Sequence, residues 1–204
     1  MGAKTTLQNP KGPISGAEAV VRSLVAEGAD LIYGYPGGAI MPVYDELYKF
    51  QDYINHVLVR HEQGAAHAAQ GFARVSGQVG VCIATSGPGA TNLVTGIADA
   101  MIDSTPLVCI TGQVPSHLLG SDAFQEPDII GISTTVTKWS YQITRAEEIS
   151  EIIAKAFYIA RSGRPGPVLV DITKDAQFGT SHFTYGPCKK ILSYKPNRKR
   201  KSPI

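Results

Sequence analysis

The chain has 204 residues, 43% hydrophobic and 18% charged, enough for one globular α/β domain and too few for two large ones. No apolar run approaches the roughly 18 residues that cross a bilayer, and the polar start MGAKTTLQNPKGP lacks a signal-peptide core. The formal charge of +2 hides an asymmetry: seven Lys or Arg and no acid lie from Lys189 onward, which leaves −5 for residues 1–188.

A basic tail can serve as a nucleic-acid arm or a localisation signal. A net-negative body is a poor general nucleic-acid binder, so the tail reads better as a solvated linker. Neither nucleic acid nor membrane is expected as a partner. Cys82 and Cys109 fall in apolar runs and Cys188 in the tail; this unpatterned set reads as reduced thiols of a cytoplasmic protein, not a disulfide frame or a zinc site.

In chain order, Ser15 to Glu18 is a capping box that opens the helix GAEAVVRSLVAEG, which ends near Gly28. The short strand LIYGY is stopped by Pro36-Gly37-Gly38, and a helix runs through VYDELYKF. INHVLV (54–59) is a strand and residues 62–75 a helix. GVCIATS (80–86) is a strand broken by Gly87-Pro88-Gly89, followed by the helix ATNLVTGIADAMID. PLVCITG (106–112) is a strand, and a long loop runs from Gln113 to about Pro127.

The helix EEISEIIAKAFYIARSG (147–163) is amphipathic, with Ile149, Ile152, Ile153, Ala156, Phe157 and Ala160 on one face. RPGP then leads into the strand VLVDIT (168–173). Apolar strands alternating with helices call for a parallel sheet covered on both faces. Right-handed crossovers place the strand-end loops YPGGA (35–39), RHEQG (60–64) and TSGPGATN (85–92) on one edge, where such sheets bind ligands. The loop GQVPSHLLGSDAFQE (112–126) follows a fourth strand. Glu62 therefore lies at a ligand-binding rim, at the start of an alanine-rich helix.

Three chemistries compete for that rim. His61, Glu62 and His67 lack the H-E-x-x-H spacing, and the two histidines lie roughly 600° apart around the helix, so a metal site is rejected. His61 reads as a polar turn residue and His67 as a packing residue. GPGATN only partly resembles G-x-G-x-x-G, with Asn92 in place of the third glycine. No acid closes a second strand about 20 residues on, and there is no Walker lysine. A carboxylate in the first helical turn is stabilised by roughly 0.3–1 kcal/mol, which alone could account for Glu62. Glycine-proline loops on adjacent strands would also let a flat ligand approach the backbone closely.

YPGGAIMPVYDEL, RHEQGAAHAAQGFAR, GVCIATSGPGATNLVTGIADAMIDS, PLVCITGQVP, GSDAFQE and SGRPGPVLVDITKD resemble, in order and spacing, the large catalytic subunits of acetohydroxyacid synthase (acetolactate synthase). The resemblance runs from about Ile14 to Gln177. It implies a pyrimidine-binding domain of the thiamine-diphosphate fold: a three-layer, doubly wound, mainly parallel sheet of about six strands over residues 14–180. An N-terminal extension (1–13) and a flexible basic linker start (181–204) flank it.

The resemblance implies that Glu62 is the activating acid that hydrogen-bonds N1′ of thiamine diphosphate. Tyr35, Pro36 and Gly37 align with the loop covering the aminopyrimidine, and Pro88 and Asn92 with residues beneath and beside it. Ordinary turn chemistry would suit each of these alone. Phe124 and Gln125 align with the substrate channel, and Arg164 with an FAD contact; a bare reading makes Arg164 a helix C-terminal cation.

The implied reaction is decarboxylation of pyruvate and transfer of its two-carbon unit to pyruvate or 2-oxobutanoate. The products are 2-acetolactate or 2-aceto-2-hydroxybutyrate, precursors of valine, leucine and isoleucine. FAD, Mg²⁺ held by a C-terminal domain, a second catalytic subunit in a homodimer and a small regulatory subunit are implied with it. The family's chain is nearly three times longer, so this one alone is expected to be inactive. The nearest rivals are a pyruvate oxidase, a 2-oxo acid decarboxylase or a sulfoacetaldehyde acetyltransferase. A non-catalytic nucleotide-binding module is the reading from another class.

Overall fold

All five apolar runs read as strands pair in parallel, and the central ones have both faces covered, as strands without polar alternation require. The structure, a computed structural model, describes residues 7–196. In chain order it comprises β1 (Ile14–Ser15), α1 (Gly16–Ala26), β2 (Leu31–Gly34), α2 (Met41–Lys49), β3 (Asn55–Leu58), α3 (Glu62–Ser76), β4 (Gly80–Ala84) and α4 (Pro88–Asn92). There follow α5 (Val94–Ile102), β5 (Leu107–Gln113), α6 (Ile129–Ser133), β6 (Trp139–Ile143), α7 (Ile149–Arg161), β7 (Pro167–Thr173), α8 (Lys174–Phe178) and β8 (Thr180–Ser181).

Strands β2 to β7 form one sheet of six in the order β3-β2-β4-β5-β7-β6, every pair parallel. The two-residue strands β1 and β8 pair antiparallel, Ile14 opposite Ser181. Successive side chains of a strand point to opposite faces, and here each face has its own core. Val81, Ile83, Val108, Ile110, Val168 and Val170 pack with α1, α2 and α7. Cys82, Ala84, Leu107, Cys109 and Leu169 pack with α3, α5 and Ile129 of α6. This is the expected three-layer arrangement.

Local signals account for the helices. Ser15 Oγ accepts from Glu18 N at 3.1 Å, the N-cap half of the capping box, while the Glu18 carboxylate pairs with Arg22 at 2.7 Å. All six apolar residues named on the face of α7 are buried. The alanines of α3 allow close approach: a Cβ on Gly96 would lie 2.4 Å from Ala66 Cβ, and one on Gly80 would lie 2.2 Å from the Ala69 carbonyl oxygen. Tight packing on β4 and α5 fixes where the first turn of α3 stands.

Some elements differ from the sequence reading. The edge strand β6 was absent from it, although Trp139, Tyr141 and Ile143 alternate with Ser140 and Gln142 as in a half-buried strand; it lacks the continuous apolar run of the central strands, and four of its five residues are only partly buried. The single helix expected over ATNLVTGIADAMID is divided at Leu93 into α4 and α5. The long loop contains a short 3-10 turn, Ser116–Leu118.

Residues 182–196, expected as the start of a flexible linker, lie along the body. Tyr185 donates to Glu27, Tyr194 Oη donates to the Ser162 carbonyl at 3.1 Å, and Lys138 Nζ stands 5.6 Å from the Tyr194 ring centroid. The ends of the sequence, including Arg198, Lys199, Arg200 and Lys201 of the basic tail, lie outside the described residues. No helix among the described residues is long and apolar enough to cross a membrane.

Candidate active site

The strand order reverses at β2: the chain steps from β2 to β3 on one side and returns to β4 on the other. The turn after β2 leads to α2 on one face of the sheet, and the turn after β4 leads to α4 and α5 on the opposite face. Diverging turns open a crevice beyond the carboxyl ends of the strands, the usual ligand position in such sheets. The three loops named from sequence meet there.

Glu62 is the first residue of α3 and only 8% exposed. Asn92 Nδ2, from the last residue of α4, donates to Glu62 Oε2 at 2.9 Å. Oε1 has no hydrogen-bond partner among the described residues, and a Cβ on Gly89 would lie 3.3 Å from it. One carboxylate oxygen is therefore held and the other is free at the rim. His61 caps the same helix, its Nδ1 accepting from Gln63 N at 3.2 Å, which fits the polar turn role.

The turns interlock through Thr85. Ala39 N donates to Thr85 Oγ1 at 3.2 Å, and a Cβ on Gly37 would lie 2.5 Å from both Cβ and Cγ2 of Thr85. Gly87 has φ +65° and ψ −126°, a conformation that side chains resist, and starts α4 with Pro88 as its first residue. Tyr35 is 42% exposed beside this turn pair, and Pro36 and Gly37 are partly buried.

Phe124 and Gln125 arrive from the loop after β5. A Cβ on Gly87 would meet Gln125 Cβ at 2.5 Å, which puts Gln125 against the GPG turn. Asp122 and Gln125 both have positive φ, 54° and 57°, and between them Phe124 is 85% exposed. The fold thus gathers Tyr35, Pro36, Gly37, Glu62, Pro88, Asn92 and Gln125 at one edge.

Arg164 is not among them. It precedes β7, at the opposite end of the sheet, and closes the C-terminal end of α5. Its guanidinium donates to Ser104 Oγ at 2.7 Å, Met101 O at 2.8 Å and Ile102 O at 3.0 Å. His67, expected to pack, is instead exposed, with its ring 3.5 Å from Asp99; the 3.6-residue period turns position 67 outward while Ala65, Ala66 and Ala69 take the buried face.

Several residues at this edge escaped the sequence reading. Thr85 looked like an ordinary strand end. Tyr44 Oη and His56 Nε2 share a 3.2 Å hydrogen bond behind Gly34. Burial raises the Tyr44 phenol, with Cys82 and Glu62 adding to it, and burial lowers the His56 imidazole. Gln177 Nε2 donates to the Ala39 carbonyl at 2.7 Å across 138 positions of sequence, so nothing local announces it.

Residues 14–132 match the family model described as thiamine pyrophosphate enzyme, N-terminal TPP binding domain. The chain is 58% identical over 183 residues to the acetolactate synthase large subunit of Corynebacterium glutamicum, covering 90% of this chain and 29% of that protein. It is 58% identical over 167 residues to the acetolactate synthase isozyme 2 large subunit of Escherichia coli, covering 82% and 30%. Against a probable acetolactate synthase large subunit of Methanocaldococcus jannaschii the figures are 58% over 166 residues, 81% and 28%. The chain spans about three tenths of the length of these relatives.

Proposed function

Since the chain belongs to the thiamine pyrophosphate enzymes and carries their N-terminal TPP-binding domain, we propose that it is the pyrimidine-binding part of an acetolactate synthase large subunit, with Glu62 as its activating acid. The names of the relatives support this assignment. The observation that carries it is the half-satisfied carboxylate: Asn92 holds Oε2, and Oε1 is left at the rim with glycine backbone opposite.

The surroundings suit the pyrimidine half of the cofactor. Gly37, Gly87 and Gly89 let the turns close on Thr85, Gln125 and Glu62, where a Cβ would crowd its neighbours, and Glu62 supplies a hydrogen-bonding oxygen for a ring nitrogen. When bound, thiamine diphosphate supplies the nucleophilic carbon and the electron sink for decarboxylation. Glu62 would hold a proton at Oε1 toward that ring nitrogen, and Asn92 would keep the carboxylate from turning away. Tyr35, Pro36 and Pro88 would border the ring, and Phe124 and Gln125 the approach of the 2-oxo acid.

The whole enzyme would join two pyruvates, or pyruvate and 2-oxobutanoate, with loss of carbon dioxide, in branched-chain amino acid synthesis in the cytoplasm. About 70% of each relative's length lies outside the matched region, and there we place the Mg²⁺ ligands and most of the flavin site. Arg164 would reach FAD only by adding a ligand to a guanidinium that already closes α5. A second catalytic subunit would complete the cofactor cleft, and the words "large subunit" in the relatives' names support a smaller regulatory partner. Residues 14–180 form the proposed domain, which alone would not turn over substrate.

Glu62→Gln in the full-length enzyme tests the assignment. The amide fits the same space but cannot share the proton, so turnover should fall on the order of 10²–10⁴-fold with folding retained. Acetolactate formation from pyruvate and C2 proton exchange of bound thiamine diphosphate, followed by NMR, are the readouts. A folded Glu62→Gln enzyme with wild-type exchange and turnover refutes the assignment and returns Glu62 to a helix-end acid worth about 1 kcal/mol or less.

A further inference from the structure

Asp171 is a buried carboxylate that the activity proposed above leaves without a task. It interrupts the apolar run VLVDIT of β7 and is 0% exposed. Its oxygens accept from Thr111 Oγ1 at 2.6 Å, Gln142 Nε2 at 2.9 Å and Gln113 Nε2 at 3.2 Å. Thr111 and Gln142 stand opposite it in register on β5 and β6. No cation pairs with it among the described residues, and the charged group that acts on it from the start of α6 is another acid, Asp128. Burial pushes its pKa up to about 6, and the hydrogen bonds from Thr111, Gln142 and Gln113 restrain the rise.

The loop from Val114 to Pro127 is attached to this carboxylate at both ends. Gln113 closes β5, its Oε1 accepts from Val114 N at 2.8 Å, and its Nε2 reaches the Pro127 carbonyl at 3.5 Å as well as Asp171. Between its ends the loop orders itself. Glu126 accepts from Gly120 N and Ala123 N, and Asp175 accepts from Ser116 N at 2.9 Å. This is the loop that lays Gln125 against Gly87.

We propose that Asp171 is a positioning residue whose ionisation state sets how firmly the loop from Val114 to Pro127 is held down on the crevice. The inference rests on the proposed function for the loop's task at the substrate channel, and not for the coupling itself. Lifting the loop and Gln113 would admit water to the carboxylate, which stabilises the ionised form far more than the neutral one. By linkage the neutral acid therefore favours the closed loop and the ionised acid favours opening. Neutral Asp171 keeps every bond: Oδ2 still accepts from both glutamines, and the Thr111 hydroxyl rotates to accept from the protonated Oδ1.

Hydrogen exchange of the 204-residue chain, corrected for intrinsic rates, is the test. Peptides covering 114–127 should gain protection by up to roughly tenfold as the pH falls from about 8 to about 5, while β4 and the start of β5 stay unchanged. Asp171→Asn imitates the neutral acid and should show the protected loop at both pH values. Thr111→Val removes a donor that favours the carboxylate, and should move the midpoint to higher pH. Any response of His117, exposed in the same loop, persists in Asp171→Asn and is subtracted. A wild-type loop with equal protection at both pH values overturns the proposal, as does an Asp171→Asn chain with the full wild-type response. If Asp171→Asn does not fold, an unmoved midpoint in Thr111→Val overturns it. None of these outcomes bears on Glu62, whose readout is C2 exchange.

Discussion

Replacing Asn92 by Asp places a second carboxylate where an amide now donates to Glu62 Oε2 at 2.9 Å. At about 3 Å and an effective dielectric constant of about 20, two unit charges repel by roughly 5–6 kcal/mol. The pair escapes most of this by retaining one proton, which then titrates roughly 2–3 units above the ordinary carboxylate range. Keeping that proton near neutrality costs ~3–4 kcal/mol, and partial exposure of position 92 reduces it to ~2–3 kcal/mol.

The pH dependence has a definite sign. A carboxyl raised in the folded state binds protons that the unfolded chain has released, so the penalty is absent at acid pH and grows as pH rises towards the raised value. Asn92→Leu behaves differently: it leaves a buried acceptor without its donor and costs ~1–3 kcal/mol across the range. Urea unfolding of the 204-residue chain at about pH 4.5 and pH 8 separates the two variants. If Asn92→Asp matches wild type at both pH values, Glu62 and Asn92 are not in contact in solution, and the half-satisfied carboxylate on which the functional proposal rests is wrong.

Two further outcomes follow from the geometry. Gly37→Ala sets a Cβ 2.5 Å from Thr85 Cβ and Cγ2 and should lower stability by ~1–3 kcal/mol, read as a drop in thermal midpoint; an unchanged midpoint means the turns after β2 and β4 do not interlock. Arg164→Ala removes donors from Ser104, Met101 and Ile102 and should cost ~1–2 kcal/mol in urea unfolding with no flavin present, and Arg164→Lys should recover only part of it. Unaltered stability in Arg164→Ala would free the guanidinium for a ligand role.

What the sequence disclosed and what it withheld have physical reasons. Central strands read plainly because burial on both faces demands unbroken apolar runs, and β4 and β7 are buried at every position. Glu62 was conspicuous because helix start, strand end and lone acid coincide in five residues. The edge strand β6 has one partner and four partly exposed residues, so it carries only a five-residue alternation of apolar and polar side chains in place of a continuous apolar run. Position 67 was misjudged because RHEQGAAHAAQ offers small residues all around the helix, and only the close fit to Gly80 and Gly96 fixes which arc is buried. Thr85, Gln113 and Gln177 act through partners far along the chain, where a single sequence carries no trace of pairing.

Asp171 and Glu62 are both buried acids of one strand-rich edge, neither with a cation partner among the described residues, yet their surroundings differ. Glu62 sits at a helix N-terminus, whose unpaired N–H groups favour negative charge, and it has one amide donor and one oxygen open to the crevice. Asp171 lies within the sheet, where strand dipoles nearly cancel, and both its oxygens are engaged by side-chain donors. An open oxygen can meet a ligand; a closed one can only hold neighbours in place. The burial that lifts Asp171 to about 6 makes its proton sensitive to loop position rather than to a bound molecule. Environment, not residue type, divides the work between them.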